Sequence, residues 1–381
     1  MMTTKSRSLL MSRRQMITRS AGGLLAAGTW WRSPSARGET HESDQIAGVR
    51  NLGDQFQNNP LKVTGLDCAS SIVLPSGDSL WVFGDTIEGP FESIRGLPLE
   101  DKLSNTAAFV PKQNASEGIK EFKFLTQPNG KRPLQLVPFA ADEDPGLERI
   151  WPIHGICLGS KIYLFYHRIS LIPGVGVFDN FEVDGMGIAE TKVGEWKFKR
   201  LSAPDRTDFF WKGDQPSFGV FVEQQGEYVY VWGSLITGMF LARTRPDKLT
   251  DMSSYEYLVS APTANHPEAE PNWSRVFEPT ASLFDSVPNE MSASFNQHLG
   301  RYLAIHSHLR ENKIVMRTAP EITGPWSEAE IIYRPEMIGE DDLVYAAKEH
   351  PELARDNGQV IYVTFVNSAT YVPQMIEVTF K

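Results

Sequence analysis

Apolar and polar positions along this chain fall into short runs separated by turn residues. From about residue 64 one unit recurs: an apolar strand, a glycine-containing turn, then a second strand rich in Tyr, Trp, Phe and Val. The copies are residues 70–85 (SSIVLPSGDSLWVFGD), 155–167 (GICLGSKIYLFYH), 219–234 (GVFVEQQGEYVYVWGS), 292–307 (SASFNQHLGRYLAIHS) and 346–367 (AAKEHPELARDNGQVIYVTFVN). Their turns are Pro75-Ser76-Gly77-Asp78, Gly159-Ser160-Lys161, Gln225-Gly226-Glu227, His298-Leu299-Gly300 and Asp356-Asn357-Gly358. Each contains residues that tolerate the positive φ of a tight hairpin. Second strands such as Leu80-Trp81-Val82-Phe83 and Ile162-Tyr163-Leu164-Phe165 are apolar on both faces, which predicts a strand sandwiched between layers.

The copies recur every ~60–80 residues, leaving room for two further strands in each interval. Phe240-Leu241-Ala242-Arg243 and Lys313-Ile314-Val315-Met316-Arg317 are examples. Four-stranded sheets repeated radially make a β-propeller. The sequence therefore predicts an all-β, five-bladed propeller in one domain, residues 45–381. The competing arrangement is a pair of β-sandwiches, but the same hairpin grammar runs through the chain without a linker.

Residues 1–40 have a different character. Lys5, Arg7, Arg13, Arg14 and Arg19 crowd the start, and no acid precedes Glu39. Ser12-Arg13-Arg14-Gln15-Met16-Ile17 resembles the twin-arginine export motif. The apolar stretch after it, residues 21–28, is too short and glycine-rich to span a bilayer as a stable helix. The expectation is a signal peptide and leader, with export of the folded protein to the periplasm or beyond.

Composition narrows the function classes. The 381 residues carry a formal net charge of −10, and the basic leader makes the remaining domain more acidic still. Such a chain lacks the basic footprint of a nucleic-acid binder and is a poor partner for an anionic membrane. Cys68 and Cys157 cannot make a disulfide framework; one bridge is conceivable, and two buried apolar thiols is the simpler reading. No four-ligand zinc spacing, nucleophile elbow or nucleotide loop is present. A monomer without a cofactor is expected, with calcium in a central channel as an open possibility.

In a propeller, residues just before the first strand and just after the second strand of each hairpin meet at one end. Applied here, this predicts a ring of Asp67 and Asp85, then Trp151, His154 and His167, then Asp214 and Ser234, then Glu290 and His306, then Tyr345 and Asn367. Two carboxylates facing a pocket are what glycosidic cleavage requires: one protonates the leaving oxygen, the other acts as base or nucleophile. Asp67 and Asp85 flank one hairpin, and adjacent strands lie ~4.8 Å apart, so both are expected to reach one substrate. They are the predicted catalytic pair. Trp151, His154, His167, Glu290, His306 and Tyr345 are the predicted sugar contacts, with Glu290 a third candidate acid in the slot Asp67 occupies. His306 and His308 face the same way on a strand, but no third ligand for a metal accompanies them.

Several segments resemble a known family. The run from Leu74 to Thr86 (LPSGDSLWVFGDT) is similar to the first-blade signature of bacterial five-bladed propellers long catalogued as a domain of unknown function. Part of that group is classed as glycoside hydrolase family 183, the endo-D-arabinanases. Leu241-Ala242-Arg243 with Tyr255-Glu256-Tyr257, residues 289–296 (NEMSASFN), Gly324-Pro325-Trp326-Ser327 and His350-Pro351-Glu352-Leu353 fit as well. The resemblance implies a propeller acting on furanose-containing glycans and two essential aspartates in blade one, which correspond to Asp67 and Asp85. Related furanosidases place an acid in blade two, whereas this chain has His154 there. The expectation is an exported glycoside hydrolase acting on a poly- or oligosaccharide; the alternative is a non-catalytic propeller that binds glycan or protein.

Overall fold

A computed structural model describes residues 43–90, 102–172, 181–205, 207–285, 289–308, 311–339 and 342–381. The leader expected at 1–40 lies outside the described residues. The described residues are all-β, and the helical pieces among them are single 3₁₀ turns such as Pro246–Lys248 and Pro351–Leu353. None is long and apolar enough to cross a membrane.

Five antiparallel sheets follow one another along the chain. The first contains Ser70–Val73, Ser79–Phe83, Thr106–Val110 and Lys123–Phe124. The second is built on Glu148–Leu158, Lys161–Leu171 and Phe181–Lys192. Ser217–Gln225, Tyr228–Leu235 and Gly238–Thr244 lead the third. The fourth holds Met291–Asn296, Arg301–His308, Lys313–Ala319 and Glu330–Tyr333. In the fifth, Val344–Glu349, Val360–Asn367 and Val372–Phe380 are joined by an outermost strand from the other end of the described chain, Ile46–Asp54. That strand pairs Ile46 with Phe380 and Asp54 with Gln374, tying the two ends together. A small additional sheet, Val63–Gly65, Thr86–Glu88 and Lys102–Leu103, lies next to the first.

All five predicted hairpins are present as antiparallel pairs. The second is longer than its apolar pattern suggested. Its first strand starts at Glu148 rather than near Gly155, because Arg149, Trp151, Pro152 and His154 interrupt the apolar run. Pro152 is accommodated where the register shifts between Phe165 and Tyr166, a bulge that removes the need for a ladder N–H. The Ile46–Asp54 strand had no counterpart in the hairpin pattern at all.

The core is a set of wedges, one between each pair of neighbouring sheets. Ile72, Leu80 and Val82 meet Leu164 and Tyr166 between the first and second. Phe165 and Ile188 meet Val229 and Val231 between the second and third. Trp232 and Leu241 meet Met291 and Ala304. Leu303 and Ile305 meet Ile361 and Val363. Trp81 and Phe83 meet Tyr362 and Met375, joining the fifth sheet back to the first. Burial of one such aliphatic or aromatic side chain contributes ~1.5–3 kcal/mol. Two-faced burial of the second strands is thus the source of their apolar composition. Polar side chains do meet between first strands, as where Ser294 Oγ donates to Glu349 Oε2 at 2.9 Å.

Candidate active site

Asp67 sits on a kink immediately before the first sheet. Leu66 N–H donates to Tyr371 O (2.8 Å), and both Gly84 N–H (3.2 Å) and Ala69 N–H (2.9 Å) donate to Asp67 O. Cys68 (φ 67°) and Ala69 (φ 57°) are both left-handed. Each such non-glycine residue costs on the order of 1–3 kcal/mol, strain that is typically held at functional positions. A Cβ on Gly84 would lie 2.3 Å from Asp67 Oδ1, so this glycine is what allows the carboxylate to lie against the backbone of the neighbouring strand. The Tyr345 hydroxyl donates to Asp67 Oδ2 (3.2 Å), and Tyr371 hydrogen-bonds the same side chain. Burial, with Asp67 beside it, holds the Tyr371 phenol well above its ordinary pKa.

Glu290 precedes the fourth sheet and accepts from Lys348 Nζ at 3.0 Å; Lys348 also donates to Cys68 O at 2.5 Å. Burial works against the charge on Lys348, but Glu290, Cys68 and Asp67 outweigh it and raise its pKa. Lys348 and Tyr345 are three apart on one strand, a spacing that would normally send them to opposite faces. A register shift between Tyr345 and Lys348, with Ala346 at φ 60°, adds the residue that brings both towards Asp67 and Glu290.

Asp67, Glu290, Trp151, His167 and Phe181 line one small pocket of about 20 Å³, room for about one water molecule. Phe181 packs edge-on against Trp151, with ring centres 5.2 Å apart. This is the part of the predicted ring that the fold brings together.

Asp85 is placed differently. It is 1 % exposed and lies behind Trp151, whose Nε1–H donates to Asp85 Oδ1 (3.1 Å). The fully buried Arg149 pairs with the same oxygen at 3.4 Å. Lys102 is close enough to feel the charge of Asp85. The geometry therefore gives Asp85 the part of a buried counter-ion and Trp151 anchor rather than a wall of the pocket. His154 faces a different cavity, where its Nδ1 accepts from Val222 N–H (3.2 Å); burial and then Lys348 push its pKa down to about 3. His306 is also withdrawn. Its ring stacks on Phe284, Nε2 accepts from Arg317 Nε–H (3.4 Å), and burial pushes its pKa to about 3. Asp214 is exposed, while Ser234 is turned to Asn289, donating at 2.7 Å.

Cys68 and Cys157 are free thiols, and burial pushes Cys68 up to about 12. Among the described residues no three His, Cys, Asp or Glu side chains gather closely enough to hold a metal ion. Lys348 and Tyr371 escaped the sequence reading. A bulge has no signature in hydrophobic period, and Tyr371 lies in a turn outside the hairpin frame.

The sequence model of the family described as Domain of unknown function (DUF4185) matches residues 53–376. The chain belongs to this family. The family of unknown function that the sequence resembles is thus the one whose model matches, over a span that includes both Asp67 and Glu290. Among solved structures, this DUF4185 chain is similar to one from Bacteroides ovatus ATCC 8483 described as a candidate hydrolase. The two share 17 % identity over 86 % of this chain and 87 % of that one, with a TM-score of 0.57, a likeness of fold. The GH43_1 enzyme from Xanthomonas citri complexed with xylotriose is more distant, at 13 % identity over 88 % and 90 % of the chains and a TM-score of 0.48. RS223 β-xylosidase stands at 11 % identity, 88 % and 95 % coverage and a TM-score of 0.47. No curated protein matches the chain.

Proposed function

We propose that this protein is an exported glycoside hydrolase, a five-bladed β-propeller that cleaves furanosidic, arabinan-like linkages. Five sheets with five apolar wedges between them support the blade count. The observation that carries the activity is that Asp67 and Glu290, from two non-adjacent blades, line the same pocket. Glycosidic cleavage needs one carboxyl to protonate the leaving oxygen and a second to act as base or nucleophile. Asp67 and Glu290 take these two roles, Trp151 offers an apolar face to a sugar ring, and His167 a hydrogen-bonding edge. Tyr345 and Tyr371 orient Asp67, and Lys348 orients Glu290. Asp85 acts through Trp151. The likeness of the first-blade run to the endo-D-arabinanase group supports the substrate class, and the twin-arginine motif supports export of the folded protein to the periplasm or beyond.

The test is incubation of the mature protein with arabinan and other plant, algal and mycobacterial-type glycans, followed by product analysis. Release of oligosaccharide that is lost in both Asp67→Asn and Glu290→Gln supports the reading. Full activity in either variant overturns the pairing. The small size of the pocket favours one second reading, a propeller that binds glycan without cleaving it. Binding with no product from any of the glycans would select it.

A further inference from the structure

The inner strands enclose a second, larger cavity beyond Lys348, at their hairpin ends. Its volume is about 580 Å³, within the range of small-molecule sites. Ile72, Leu74, Ile156, Phe221, Val222 and Pro351 give it apolar walls. Three carboxyl side chains face the same space: Glu223 of the third sheet, Glu349 of the fifth, and Glu352 of the 3₁₀ turn that follows it. Glu349 is 5 % exposed and accepts from Ser294 Oγ (2.9 Å). One oxygen of each of the other two, Glu223 Oε2 and Glu352 Oε1, is buried without a hydrogen-bond partner. Of the lining side chains among the described residues, Lys348 is the single Lys or Arg, and it is engaged by Glu290 and Cys68 O. His154 is neutral and uses Nδ1 on Val222.

We propose that this cavity binds an organic cation with an apolar body, its ammonium group held among Glu223, Glu349 and Glu352. A buried polar atom left without a partner costs ~1–3 kcal/mol, and more if it is charged. An ammonium supplies three N–H donors and no acceptor, one donor for each carboxyl group. Its alkyl portion covers the apolar wall, whereas an anion would meet three acids. The site is separate from the Asp67 pocket, and its occupancy does not depend on hydrolysis there.

The protons provide a signature. Burial, then Glu349, raises Glu223 to about 8, and burial, then Glu352 against the Ser294 bond, raises Glu349 to about 7. Burial raises Glu352 as well. The other titratable groups facing them stay fixed over this range. His154 and His350 are held far below their ordinary values by burial, Lys348 is held above its own, and burial raises the Cys157 thiol and the Tyr302 phenol. A bound ammonium stabilises the carboxylates, so the acids release protons to solvent on binding, and affinity rises with pH between 6.5 and 8.5.

Titration calorimetry of the mature protein with n-hexylammonium, 1-hexanol and hexanoate tests this. Hexylammonium is expected to bind at least tenfold more tightly than hexanol, with hexanoate weakest, and its heat should vary with the ionisation enthalpy of the buffer. Glu223→Gln with Glu349→Gln should lose at least tenfold in hexylammonium affinity. Glu223→Gln alone, at a less buried position, should lose severalfold while keeping its circular dichroism and Tm, so the test survives if the double variant fails to fold. Equal affinity for hexanol and hexylammonium, no binding of hexylammonium at millimolar concentration, or unchanged binding in a folded Glu223→Gln protein would each overturn the proposal.

Discussion

Lys348 and Glu290 form an ion pair of 3.0 Å between the fifth and fourth sheets, with the lysine fully enclosed and reaching on to the carbonyl of Cys68 in the kink after Asp67. One ammonium thus ties the Glu290 carboxylate to the backbone beside Asp67. Removing one member of a buried pair leaves the other charge without compensation, at ~3–5 kcal/mol. Lys348→Met should therefore lower stability by about that amount in urea denaturation. The double variant Lys348→Met with Glu290→Gln should recover part of the loss, because the stranded charge is gone.

Asp67 and Asp85 should separate by phenotype. Asp85 balances the fully buried Arg149, so Asp85→Asn strands a guanidinium and is expected to cost about 3 kcal/mol or more in unfolding free energy. Asp67→Asn keeps the Tyr345 contact through the amide oxygen and should unfold nearly as wild type while losing glycan cleavage. Parallel denaturation curves and product assays check the pair. Equal stability losses in the two variants would contradict this division.

Gly84→Ala tests the seating of Asp67 without changing a polar group. The added methyl would fall 2.3 Å from Asp67 Oδ1 and must displace the carboxylate. A misplacement of about 1 Å in a catalytic group costs on the order of a hundredfold in rate. Turnover should fall by about that factor, with Tm much less affected, if Asp67 reacts with substrate.

Stability should decline between about pH 6.5 and 8. Glu223 (about 8) and Glu349 (about 7) are raised by burial above the ordinary 4.5. The native state keeps protons that the unfolded chain has already lost, so their contribution is complete below about pH 4.5 and disappears as pH rises through the native values. His154 and His306, depressed to about 3 by burial, act in the opposite sense. Their contribution is complete above 6.5 and is lost as pH falls towards 3, so they offset the acids only below 6.5. Each group changes the slope by at most ~1.4 kcal/mol per pH unit. Chemical denaturation at stepped pH should show the decline, and Glu223→Gln with Glu349→Gln should flatten it.

The sequence by itself determined the sheets. Leu80-Trp81-Val82-Phe83 has to be buried on both faces, and Gly77, Gly159, Gly226, Gly300 and Gly358 all adopt the positive φ their turns require. These are local properties, fixed by the side chains and the few conformations open to a tight hairpin. It also marked Asp67, Trp151, His167 and Glu290, because residues just outside a hairpin share one end of a sheet. Tertiary structure decided what each does. Asp85 and His306 satisfied the same positional rule yet are held inward, Asp85 beside Arg149 of the next sheet and His306 beside Arg317 of the neighbouring strand, both outside the hairpin pairs that set the rule. Lys348 reaches Glu290 and the Cys68 carbonyl because a single extra residue at Ala346 reverses the alternation of its strand, and Ile46–Asp54 found its partner at the far end of the chain. Hydrophobic period carries no information about bulges or long-range ion pairs, since both depend on which strands become neighbours only after the sheets have assembled.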